Sequence, residues 1–115
     1  MKILLVDDYR PLADALALNL GHAGHTVVLA HDGVEGVQAF MCCEIGRMGP
    51  FDAVISDWNM PRMTGPEMVR EILRVNPNVK VVMMSGDPWN KPPEGITLLE
   101  KGALSIKDVL VALNA

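Results

Sequence analysis

The stretch Ala53-Val54-Ile55-Ser56-Asp57-Trp58-Asn59-Met60-Pro61-Arg62-Met63-Thr64-Gly65-Pro66-Glu67 carries the chain from a buried strand into a capped helix. Its first four residues form a short, unbroken apolar run, the pattern of a strand buried on both faces. The run stops on a carboxylate, Asp57. After the loop, Thr64 ahead of Gly65-Pro66-Glu67 resembles a capping box with proline in the first turn, and Asn76-Pro77 closes the helix it opens.

The same unit repeats along the chain. Further apolar, β-branched runs lie at Lys2 to Val6, Thr26 to Ala30, Val79 to Met84 and Ile96 to Leu99. Leu12, Leu16 and Leu20 recur at helical spacing with alanines among them, and Gly21 and Gly24 supply stop signals. A second helix fits Val34 to Ile45, beyond Asp32-Gly33, with Gly46, Gly49 and Pro50 breaking it. The last helix begins at Ser105, with Asp108 as a capping partner and Ile106, Val109, Leu110 and Leu113 on its inner face. Strand and helix alternate, which predicts an α/β, doubly wound, five-stranded parallel sheet covered on both sides. One interval departs from this. Gly86, Pro88, Pro92, Pro93 and Gly95 interrupt the stretch between the fourth and fifth strands, so the fourth helix is expected to be shortened or missing.

At 115 residues, half of them hydrophobic, the chain suits one well-buried core, and residues 1–115 are read as one domain. A net charge of -4 with few aromatic residues excludes the basic stripe of a nucleic-acid surface. No stretch has the length of a membrane span, and Met1-Lys2 leads straight into a strand without a signal-peptide pattern, so a cytoplasmic protein without membrane insertion is expected. Adjacent Cys42 and Cys43 lack the spacing of a zinc site and read as buried free thiols. His22, His25 and His31 show no metal spacing, and most methionines read as core fillers.

In an open parallel sheet, ligands bind beyond the carboxyl ends of the strands, where the strand order reverses. Asp7 and Asp8 end the first strand and Asp57 the third. An Asp-Asp pair by itself reads as a loop or helix cap; the third acid at an equivalent strand end turns the reading toward a cation site. Two such charges ~5 Å apart at an effective dielectric of ~20 repel by roughly 3 kcal/mol. A hard divalent ion with oxygen ligands answers that repulsion. Ser85 and Lys101 follow the fourth and fifth runs. Alone, each is a turn residue or a solvated charge; together at the same rim, a hydroxyl and an ammonium can hold the oxygens of a phosphoryl group.

With Asp7-Asp8, the Asp57 to Gly65 segment with Met60-Pro61, Ser85-Gly86 and Lys101, the chain resembles the receiver domain of two-component response regulators, and the segment around Asp57 looks like that of single-domain chemotaxis receivers. The resemblance covers essentially the whole chain and implies a flavodoxin-like sheet in the order 2-1-3-4-5. It implies that Asp57 accepts a phosphoryl group from a phosphohistidine on a sensor histidine kinase or a histidine phosphotransfer domain. Asp8 would bind Mg2+ directly, with Mn2+ as a substitute, Asp7 largely through water, and the backbone carbonyl of Asn59 would complete the protein ligands. Ser85 and Lys101 would grip the transferred group. Such a domain catalyses only its own phosphorylation and dephosphorylation and acts by switching protein contacts.

Three features depart from the family pattern. Leu98 stands where an aromatic residue often reports the movement of the hydroxyl. Lys101 precedes Gly102 in place of a cis proline; a cis bond to glycine costs about 2.5–4 kcal/mol. The proline-rich stretch from Gly86 to Gly95 replaces a helix through which many receivers dimerise or dock, which leaves the oligomeric state open. Kinase contact in the family uses the first helix and the loop after the fifth strand, here Tyr9, Arg10, Pro11, Leu12 and Ala103-Leu104. The leading expectation is a phosphorylatable receiver, either stand-alone or the receiver segment of a hybrid histidine kinase, with no output domain before Asn114-Ala115. A non-phosphorylating receiver-like interaction module is the alternative, and a magnesium phosphatase of the haloacid-dehalogenase type a weaker one.

Overall fold

A computed structural model describes residues 1–45, 49–87, 89–93 and 95–114 of the chain, so that Gly46, Pro88 and Ala115 lie outside the described residues. Its strands are β1 (Lys2–Val6), β2 (Thr26–Ala30), β3 (Ala53–Asp57), β4 (Lys80–Ser85) and β5 (Thr97–Glu100). Its α-helices are α1 (Arg10–His22), α2 (Gly33–Ile45), α3 (Gly65–Val75) and α4 (Ile106–Leu113). All pairings are parallel, in the order β2-β1-β3-β4-β5.

Side chains of a strand alternate between faces, and this period of two divides the core. Leu4, Val6, Val54, Val81 and Met83 face α2 and α3, where Phe40, Met68, Val69 and Ile72 are buried. Ile3, Leu5, Ala53, Ile55, Val82 and Met84 face α1 and α4, against Leu16, Leu20, Val109, Ala112 and Leu113. Central strands β1, β3 and β4 are buried on both faces as expected, whereas β2 and β5, having a neighbour on one side only, are mostly half-buried.

The capping box of α3 forms as read: the Thr64 hydroxyl accepts from the Glu67 amide, and Glu67 Oε1 accepts from the Thr64 amide at 3.2 Å. Asp57 ends β3 as read, Ser85 belongs to β4 rather than following it, and Asp7 and Asp8 lie just beyond the end of β1 at Val6. On α4, Ala112 joins Val109 and Leu113 in the core, while Ile106 and Leu110 are only half-buried, because the helix lies against the sheet edge. Cys43 is buried but Cys42 is exposed, which corrects the reading of both as core thiols. Among the described residues, no helix stands between β4 and β5, and no helix is long and apolar enough to cross a membrane.

Candidate functional site

Parallel register brings the acids together. Val6 pairs with Ser56, so Asp7 and Asp57, the next residue in each strand path, stand level across the point where the strand order reverses. One oxygen from each of Asp7, Asp8 and Asp57 lies within 4.8 Å of the others. Asp7 is wholly buried, Asp57 is 5% exposed and Asp8 is open to solvent. The Tyr9 amide donates to Asp7 Oδ1 at 2.9 Å, which fixes that carboxylate as α1 begins.

Lys101 sits in a 3-10 turn, Lys101–Ala103, that follows β5, and its peptide bond to Gly102 is trans. The turn sends the side chain back over the sheet edge. Lys101 Nζ donates to Asp57 Oδ2 at 2.9 Å and to Asp7 Oδ1 at 3.3 Å, and stands 3.2 Å from Asp7 Oδ2. That last contact is an ion pair without hydrogen-bond geometry. Asp7 Oδ2 is thus the one buried side-chain oxygen or nitrogen among the described residues with no hydrogen-bond partner.

The charges confirm the crowding. Burial pushes the Asp57 carboxyl up to about 6, and the Asp7 and Asp8 carboxylates push the same way against the pull of Lys101. Burial by itself would lower Lys101, but its bonds to Asp57 and Asp7 outweigh it and its pKa is raised. Three ionised carboxylates against one ammonium leave two negative charges in excess. The donors are all hard oxygens, one is orphaned, and the excess equals the charge of a divalent ion, so these residues fit magnesium or manganese.

The loop that follows Asp57 is tightly held. A Cβ on Gly65 would strike the Asp57 carbonyl oxygen and come within 2.9 Å of Met83 Cε, so only glycine lets α3 start this close to β3. Arg62 adopts a left-handed φ of 67° and reaches Asp32 Oδ2 at 2.7 Å, tying the loop to the start of α2. Asp32 in turn accepts from the Glu35 amide, and this bond chiefly, with Arg62, holds its carboxyl below the usual range. The backbone places Asn59 on this loop, exposed, and Trp58 half-buried against the α2–α3 side of the core.

Ser85 is where the sequence put it, but its hydroxyl is engaged elsewhere. It is 2% exposed at the end of β4, accepts from Asn90 Nδ2 at 2.6 Å and from the Asp87 amide at 3.0 Å, and donates to the Asp87 carbonyl at 3.2 Å. Asn90 escaped the sequence reading because it lies among prolines with no periodicity around it. The Arg62–Asp32 tie escaped it too, since it joins two loops far apart in the chain. His31 comes beside the site, with Nδ1 3.3 Å from the Asp7 carbonyl oxygen, a backbone contact and no part of the acid cluster.

Comparison with known proteins agrees with this geometry. A family model described as the response regulator receiver domain matches residues 3–106. Response regulator MprA of Mycobacterium ulcerans (strain Agy99) is 34% identical over 85 residues, 74% of this chain and 34% of that protein. The chain spans about one third of the length of the first curated relatives it matches. A response regulator receiver domain protein from Clostridium thermocellum superposes with a TM-score of 0.84 at 29% identity, covering 98% of this chain and 90% of that one. The receiver domain of the hybrid histidine kinase CckA gives a TM-score of 0.81 at 26% identity, covering 99% and 96%. The chain belongs to the response regulator receiver domain family of two-component systems.

Proposed function

We propose that residues 1–115 form one phosphoacceptor receiver domain in which Asp57 takes a phosphoryl group from a phosphohistidine. A carboxylate oxygen of Asp57 forms the new O–P bond as the N–P bond breaks, and the electron pair returns to the imidazole nitrogen, which is protonated. The product is an acyl phosphate. The observation that carries this reading is the placement of Lys101 Nζ at 2.9 Å from the Asp57 oxygen, inside a cluster of acids that retains two excess negative charges. The ammonium is thus in position to hold an oxygen of the incoming group.

Asp7, Asp8, Asp57 and the Asn59 carbonyl would hold magnesium, with manganese as a substitute; when bound, the ion neutralises the like charges of donor and acceptor. With a carboxyl pKa of about 6, Asp57 is ionised and nucleophilic at neutral pH. Ser85 supplies a second contact to the transferred group and starts the switch in protein contacts. The partners are a sensor histidine kinase or a histidine phosphotransfer domain, in the cytoplasm. Relatives about three times as long, and the likeness to a hybrid kinase receiver, support the receiver segment of a larger protein, with a stand-alone regulator as the alternative.

Intact mass after incubation with a small-molecule phosphodonor tests the proposal. The expected result is a magnesium-dependent gain of one phosphoryl group that is absent in Asp57→Asn and with a strong chelator. No gain with both the small donor and a phosphorylated histidine phosphotransfer domain would favour the non-phosphorylating interaction module.

A further inference from the structure

One short turn touches both loops that carry the acid site. It is the segment His31-Asp32-Gly33, where β2 turns into α2, and none of its residues belongs to the acid cluster. On one side the Asp7 amide donates to the Ala30 carbonyl at 3.1 Å, and His31 Nδ1 stands 3.3 Å from the Asp7 carbonyl oxygen. On the other, Arg62 donates to Asp32 Oδ2 through Nε at 3.0 Å and Nη2 at 2.7 Å. Asp32 Oδ1 is left for the Glu35 amide, at 2.8 Å, so one carboxylate both caps α2 and holds the arginine. A Cβ on Gly33 would come within 2.5 Å of the Met63 carbonyl oxygen, so the two loops also meet backbone to backbone.

Arg62 makes its contact from a strained backbone. The Met63 amide donates to the Pro61 carbonyl at 2.8 Å, and with a φ of 67° Arg62 is the centre of a γ-turn of the rarer, strained hand. Among the described residues it is the one non-glycine with a positive φ. Its side chain is 60% exposed, where an ion pair for stability alone returns little. We infer that Arg62 and Asp32 are positioning residues for the proposed cation site: their pair braces the loop of Asn59, through the β2–α2 turn, against the loop of Asp7 and Asp8, and so sets the gap that the ion fills. The inference rests on the reading of the acid cluster as a magnesium site. The Trp58 amide on the Met84 carbonyl and the Gly65 amide on the Trp58 carbonyl, both at 2.9 Å, hold the two ends of the Asn59 loop, and the Arg62 pair steadies the turn between them.

The test is a magnesium titration of the whole chain followed by backbone amide NMR shifts, in the parent, Arg62→Gly, Asp32→Asn and the double variant. Glycine accepts a positive φ without strain, and asparagine keeps an oxygen for the Glu35 amide, so these variants remove the ion pair and leave the turn and the cap in place. A field effect alone has opposite signs for the two: loss of the Arg62 charge favours a bound cation, and loss of the Asp32 charge disfavours it. The brace predicts the same sign for both. Arg62→Gly and Asp32→Asn should each bind magnesium about 10-fold more weakly, the low end for groups that hold metal ligands in place, and the double variant no more weakly than the weaker single one. Equal or tighter binding by Arg62→Gly, or losses that add in the double variant, overturns the brace and leaves the magnesium site standing. Absence of magnesium-dependent shifts at the amides of Asp7, Asp8 and Asp57 in the parent overturns both. The metal-free amide spectra establish that each variant folds.

Discussion

Replacing Asp57, the proposed phosphoacceptor, should make the metal-free protein more stable. Asp57→Asn keeps the shape of the side chain and an oxygen to accept from Lys101, and removes one of three crowded charges. The folded carboxyl titrates at about 6 against an ordinary 3.8, so the folded state keeps its proton longer than the unfolded chain does. Stability from this group is therefore full at low pH and is lost as pH rises from 3.8 through about 6, after which it stays level. At about 1.36 kcal/mol per pH unit, the gap between 3.8 and about 6 sets a ceiling of about 3 kcal/mol. The rim opens to water, and screening brings the expected gain of Asp57→Asn to ~1–2 kcal/mol. In a chain of 115 residues that raises Tm by about 4–8 °C. Urea melts of both proteins in chelator, at about pH 4 and about pH 8, measure it, and the advantage should develop between these and be flat above about pH 7. Magnesium held at the proposed site should stabilise the parent by binding its folded state and so narrow the difference. An advantage equal at both pH values, or a loss of stability at the higher one, would refute the account of crowded charge.

Other outcomes follow from the same geometry. Thr64→Ala removes the cap of α3 and should cost about 1 kcal/mol in urea melts with an unchanged denaturant slope. Gly65→Ala drives a methyl group into the Asp57 backbone and should cost about 1–3 kcal/mol while slowing the proposed phosphorylation, since the displaced carbonyl belongs to the proposed acceptor. Lys101→Ala strips Asp57 of its largest opposing influence after burial, so its pKa should rise still further above about 6, as followed by carboxyl NMR shifts; a fall would contradict the pairing.

That a parallel sheet is present was legible from burial, whereas its order came from the family resemblance. Runs such as Leu4-Leu5-Val6 and Val54-Ile55 are apolar at every position, which suits only strands covered on both sides, and the acids that end them mark the sheet edge. The cap of α3 was legible because it is local: Thr64 and Glu67 answer each other across one turn. The Arg62–Asp32 and Lys101–Asp57 pairs were not legible as contacts, since 30 and 44 residues of chain separate the partners and only the fold brings them near. Lys101 could be named but not placed. The family's proline is absent after it, and the short 3-10 turn with a trans bond is what aims its ammonium at the acids.

The acid cluster and the Ser85 hydroxyl are held by different kinds of structure. Asp7 and Asp57 stand on paired central strands, where register fixes them, and Gly65 and the Asp32–Arg62 tie pin the loop between β3 and α3 from two sides. Burial of the carboxyl and the crowding of charge around it are both built into the sheet edge, and their cost appears as the raised pKa of Asp57, with burial the larger cause. Ser85 ends an equally buried strand, yet every partner of its hydroxyl lies on the loop beyond. The proposed chemistry at Asp57 is thus set by the sheet edge, while the Ser85 hydroxyl is tied to a proline-rich segment with no helix among its described residues. The bonds around Ser85 are few and neutral, each worth on the order of 1 kcal/mol net, which is small enough for a single new charge-assisted contact to displace.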